Sequence, residues 1–192
     1  MATRCARRIA LTLLLAGSAA PVVAQSGAWL DRDVAGWNRA GAAVPAAPGN
    51  PQRDAVRKRC SAAVTASTAV AAVTDAGWLP FLHQDREVKR GRIEVVAGAS
   101  DATAACEPID FNLFVFVDGR FAGTLSPVSM TTSKDGVVGA VRITGDDSLT
   151  AEFARYAPDG PECCPSGRVR VIYEVDMAGE AAVKPVSVQH LR

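Results

Sequence analysis

The chain has 192 residues, 48% of them hydrophobic and 21% charged, a balance that suits a folded globular domain and excludes disorder over its whole length. Its formal net charge is +1, and Arg4, Arg7 and Arg8 supply more than that excess. The remainder is slightly acidic overall, a balance that gives no electrostatic footprint for nucleic acid.

Residues 1–24 read as a cleavable export signal. A basic stretch from Arg4 to Arg8 precedes an apolar core from Ile9 to Ala20, too short to span a bilayer as a stable anchor. Val22-Val23-Ala24 then sets up cleavage before Gln25. Leu15-Ala16-Gly17-Ser18 resembles a bacterial lipobox with Ser18 in the place of the lipidated cysteine, and Cys5 lies too early to serve. The expected mature chain is periplasmic or secreted, with no membrane anchor after cleavage.

Export places Cys60, Cys106, Cys163 and Cys164 where disulfides persist. A bridge between the neighbours Cys163 and Cys164 would be strained, because adjacent Cα atoms stand about 3.8 Å apart and a relaxed disulfide needs at least about 4.4 Å. Zinc binding by this pair is disfavoured, since structural sites usually space their cysteines by about two to four residues.

Residues 25–66 are rich in Ala, Gly, Pro and Arg and read as an extended lead-in, with Trp29 and Trp37 laid on the domain surface. Residues 67–192 form the single domain. Ser67 is a good N-cap and Gly77 a good residue after the last turn, with Ala69, Val70, Val73 and Ala76 on one face between them. This is the one helix expected.

Period-two alternation follows. Short strands are expected over 78–83, 93–96, 111–117, 120–125, 137–143, 149–154 and 168–175, and Pro185 makes the tail around Val186 and Val188 an edge strand. The run from Phe111 to Val117 is apolar on both faces apart from Asn112, so it should lie inside a sheet with cover on both sides. Asp118-Gly119 behind it is a type I′ hairpin signal, because both central positions must tolerate positive φ. The expected fold is α+β: one antiparallel meander of six to seven strands with one short helix packed on it.

That topology brings Cys106, just ahead of Phe111, to the same end of the sheet as Cys163 and Cys164. The expected pairs are therefore Cys106–Cys164 and Cys60–Cys163.

The run from Val117 to Thr124 followed by Ser126-Pro127, Cys164-Pro165 ahead of a late strand, and Ala76-Gly77-Trp78 ahead of the sheet resemble the LppP/LprE family of bacterial envelope lipoproteins. The likeness covers roughly residues 69–175. It implies an extracytoplasmic domain and carries over no catalytic residue.

His83, with Asp85 two residues on, is the one candidate general base, but no Gly-x-Ser-x-Gly elbow accompanies it. A P-loop, a dinucleotide fingerprint and metal-ligand spacing are all missing, so no cofactor is expected. Asp146-Asp147 lacks the further spaced oxygen ligands of a calcium loop. Two functions follow. The first is a non-enzymatic binding or structural module for an envelope protein, glycan or lipid. The second is a small extracytoplasmic hydrolase using His83.

Overall fold

The structure is a computed structural model that describes residues 27–32, 36–60, 64–81, 89–161 and 163–191. The leader read over 1–24, the lipobox position Ser18, and His83 with Asp85 lie outside the described residues.

The expectation of one meander under one helix is corrected. Among the described residues the protein is mostly β, with nine strands in two antiparallel sheets and two α-helices. The first sheet contains β1 (Leu79–Phe81), β2 (Lys89–Arg90), β3 (Ile93–Ala102), β4 (Pro108–Val117) and β5 (Arg120–Thr124). Its order is β1-β3-β4-β5, with β2 also paired to β3. The second sheet is a simple meander of β6 (Val138–Ile143), β7 (Ser148–Arg155), β8 (Gly167–Asp176) and β9 (Ala182–Leu191). Pro185 lies on β9, an edge strand as expected, opposite Tyr173 and next to a bulge between Ile172 and Tyr173.

Residues 125–137 explain the difference. They cross from one sheet to the other instead of turning back, so β6 does not pair with β5. Leu125 N–H donates to Leu113 O at 3.0 Å, and Met130 and Phe111 exchange two backbone bonds of 2.8 and 2.9 Å before the chain leaves. Alternation shows that a strand has a buried face. It does not say which sheet the strand joins.

Strand β4 is the central element. Phe111, Leu113, Val115 and Val117 face a core shared with Val141, Leu149, Phe153, Val171 and Tyr173 of the second sheet. Phe114 and Phe116 face the opposite way, into a smaller cluster with Ala69, Val73, Trp78 and Val96. The molecule therefore has three layers: a helical cover, the first sheet and the second sheet. The hairpin itself is not the central pair, because β5 is an edge strand. Its turn is as the sequence required, with φ of 50° at Asp118 and 76° at Gly119.

Helix α2 (Thr68–Asp75) has the expected ends. Ser67 Oγ accepts from Val70 N–H at 3.1 Å. At the other end Gly77 N–H donates to Thr74 O and Trp78 N–H to Val73 O, a Schellman pair closed by Gly77 at φ 89°. The helix approaches the sheet closely at Gly98, where an added Cβ would stand 2.8 Å from Val73 Cγ1.

Helix α1 (Arg53–Cys60) was not expected. Only Val56 of its eight residues is buried, so it carries no apolar stripe for periodicity to reveal. It occurs within the stretch read as an extended lead-in. Trp29 and Trp37, from the same stretch, pack edge-on against each other, and Trp29 also meets Phe153 edge-on, 5.1 Å between ring centroids.

Candidate functional site

The four cysteines fall in two places, and the expected pairing is corrected. Cys60 is bonded to Cys106, with Cα atoms 5.3 Å apart. Cys163 and Cys164 are free and exposed. Their loop joins β7 to β8 in the second sheet, whereas Cys106 lies between β3 and β4 in the first. A single meander would have gathered them at one end, and two sheets do not. Cys60 is the last residue of α1, so the bridge fastens that helix to the β3–β4 connection. Its sequence separation of 46 corresponds in the chain-entropy treatment to about 4 kcal/mol.

This bridge forms one wall of a cavity of about 180 Å³. Helix α1 supplies Val56, helix α2 supplies Val70 and Thr74, β1 supplies Leu79 and Phe81, and the end of β3 supplies Ala99 and Ala102. The lining is mainly apolar, and two of its polar members are bonded within the fold. Thr74 Oγ1 donates to Val70 O at 2.8 Å within the helix, and Asp101 Oδ1 accepts from Ala102 N–H at 2.8 Å. Pro80 is on β1, an edge strand of its sheet, and has no N–H to offer an added strand. Arg57 is the cation of the wall, 3.8 Å from Asp54 and about half exposed.

A second cleft lies beside the hairpin turn, lined by Ser67, Lys89, Arg92, Glu94, Asp118 and Gly119. Its charges are paired among themselves. Arg92 Nε donates to Asp118 Oδ2 at 2.8 Å, Lys89 Nζ lies 3.5 Å from Glu94 Oε2, and Ser67 Oγ donates to Glu94 Oε1. The hydrogen bond from Arg92 holds the Asp118 carboxyl below the usual carboxylate range. Asp118 thus serves the turn and its anchoring.

Asp147 is used through its backbone, where its carbonyl accepts from Val175 N–H at 2.7 Å. Among the described residues no three metal-ligating side chains gather. The structure does not bring the sequence candidates together: Asp118 and Gly119 are at the hairpin, Cys60 and Cys106 at the cavity, and Cys163 and Cys164 on the far loop. The cavity residues escaped the sequence reading because Val, Leu and Ala in alternation look the same whether they line a space or fill one.

The LppP/LprE lipoprotein family model matches residues 90–177, from the end of β2 to the end of β8. No curated protein and no solved structure matches the chain.

Proposed function

The chain belongs to the LppP/LprE lipoprotein family through residues 90–177, and we propose that it is an envelope binding domain that houses the apolar end of an amphiphile in the Val56–Leu79–Ala102 cavity. Family membership makes it an exported, envelope-associated protein. The finer reading, periplasmic or secreted with the leader removed before Gln25, is part of the proposal.

The observation that carries the binding reading is the cavity's chemistry. Thr74 and Asp101, two of its polar side chains, are already bonded within the protein, so an entering apolar group meets mainly hydrocarbon and a disulfide. An apolar cavity of about 150 Å³ takes up a benzene ring, so a space of about 180 Å³ suits the last carbons of an acyl chain. Arg57 at the wall can meet an anionic headgroup, a contact that Asp54 already shows is within reach of a carboxylate. A binding pocket of this kind needs no catalytic residue. The hydrolase reading rests on His83, which lies outside the described residues, and no described side chain favours it.

The test is titration with a fluorescent long-chain fatty acid, followed by displacement with an unlabelled one. Saturable binding is expected, weakened at least tenfold by Ala102→Phe, which fills the cavity from the end of β3. Ala102→Leu provides a smaller intrusion should the phenylalanine disturb folding, with circular dichroism as the control. Absence of saturable binding, or affinity unchanged in a folded Ala102→Phe protein, rejects the proposal.

A further inference from the structure

Cys163 and Cys164 stand side by side between β7 and β8, both exposed and flanked by Pro161 and Pro165. Their loop is pinned on either side: Cys164 N–H donates to Pro161 O at 3.3 Å and Ser166 N–H to Arg155 O at 2.7 Å. The other two cysteines among the described residues are bonded to each other. Within the described chain, each free thiol therefore has only its neighbour as a partner. An exported protein meets disulfide-forming couples, and exposed thiols are the ones such couples reach.

We propose that Cys163 and Cys164 form a reversible redox site, which closes to a vicinal disulfide and reopens by exchange with small or protein disulfides of the envelope. In the closing direction the Cys163 thiolate attacks one sulfur of an incoming disulfide. A bond forms between them, and the other half leaves as a thiolate that takes a proton. The Cys164 thiolate then attacks Cys163 Sγ, closes the ring and expels the remaining half as a second thiol. Two protein thiols have become one disulfide, and one external disulfide has become two thiols, so atoms and electrons balance. The hydrogen bond with Cys163 raises the Cys164 thiol above its ordinary value.

Two different bridges result. Cys60–Cys106 joins Cα atoms 5.3 Å apart, inside the relaxed range, and closes a cavity wall. A Cys163–Cys164 bridge must join Cα atoms about 3.8 Å apart. Strained, exposed bridges are the ones that exchange readily. The pair should therefore open under conditions that leave the structural bridge intact.

Trypsin cuts after Arg155 and Arg168, so one peptide, Tyr156–Arg168, carries both cysteines of the pair and no other. Protein recovered from the envelope of an exporting host is equilibrated across a range of glutathione to glutathione disulfide ratios, quenched in acid, alkylated and digested. At the oxidising end this peptide is expected unlabelled and two hydrogens lighter than the dithiol. At intermediate ratios it should gain two labels while the Cys60–Cys106 link survives. Cys164→Ser should retain one glutathione on Cys163. The proposal is overturned if the wild-type peptide takes two labels at every ratio, carries glutathione without closing, or links to a second chain. It is also overturned if the pair opens only together with Cys60–Cys106, or if Cys164→Ser retains no adduct.

Discussion

Asn38 holds two sheet edges together with one side chain. Its Nδ2 donates to Thr124 O on β5 at 2.9 Å and to Val183 O on β9 at 3.0 Å, and its Oδ1 accepts from Thr124 N–H at 2.8 Å. Strand β5 makes room for it, since Gly123 adopts φ 143° and any Cβ there would stand 2.3 Å from the Asn38 amide carbon. Trp37 Nε1 adds a bond of 3.1 Å to Thr124 O, so that carbonyl keeps a partner if Asn38 is lost. Thr124 N–H and Val183 O lose the bonds Asn38 makes to them. Leaving buried backbone groups unpaired costs about 1–3 kcal/mol each before water re-enters. Asn38→Ala should therefore lower unfolding free energy by about 2 kcal/mol in urea titration, and a loss under about 0.5 kcal/mol would mean the seam does not depend on it. Nothing in the sequence around Asn38 announces this role, because its partners are distant backbone atoms. Asp118 and Gly119 were legible for the opposite reason: their role is set by their own φ.

At the scale of elements, the 3-10 turn Ala28–Asp31 shows how an apparently loose segment is fixed. Leu30 is buried, and Arg155 at the end of β7 grips Asp31 through two bonds of 2.8 and 2.9 Å. The same guanidinium donates through Nε to Asp135 at 2.9 Å. The hydrogen bond from Arg155 is the main cause that holds the Asp31 carboxyl below its ordinary range. A carboxyl depressed in the fold stabilises it above the unfolded value, about 3.9, and that contribution fades as pH falls through the lower folded value. Acidification below about pH 4 should thus release the turn before the sheets unfold. Trp29 emission, read against Trp29→Phe, should shift to the red over that range, and Asp31→Asn should show the shift already at neutral pH. Identical acid profiles for wild type and Asp31→Asn would remove Asp31 from the account. The helices make the same contrast between what can be read and what cannot. Helix α2 announced itself through Ser67, Gly77 and an apolar face, whereas α1, with Arg53, Arg57, Lys58 and Arg59 around a single buried Val56, resembles solvated chain.

For the whole molecule, the decisive fact is that β4 has two inner faces belonging to different layers. The sequence showed that Phe111–Val117 must be covered on both sides, and that much was legible. The helix over one face was legible too, but the second sheet over the other was not, because hydrophobicity at Leu113 is the same towards a sheet as towards a helix. Phe114 has no exposed surface and packs at a tilt of 58° against Trp78, with ring centroids 5.1 Å apart, under Ala69 and Val73 of α2. Truncating a buried phenylalanine costs about 3–5 kcal/mol, so Phe114→Ala should destabilise the protein by that amount. The layering makes a further, spatially specific demand. The lost ring belongs to the helix side, so amide exchange in α2 should accelerate through local opening, while the amides of β7 and β8 should change only as far as global stability falls. Leu113→Ala, on the same strand but facing the second sheet, should instead leave α2 no more affected than the rest. A loss below about 1 kcal/mol for Phe114→Ala would place the ring in solvent. Equal effects of the two substitutions on α2 would mean that the helical cover and the sandwich core open as one unit.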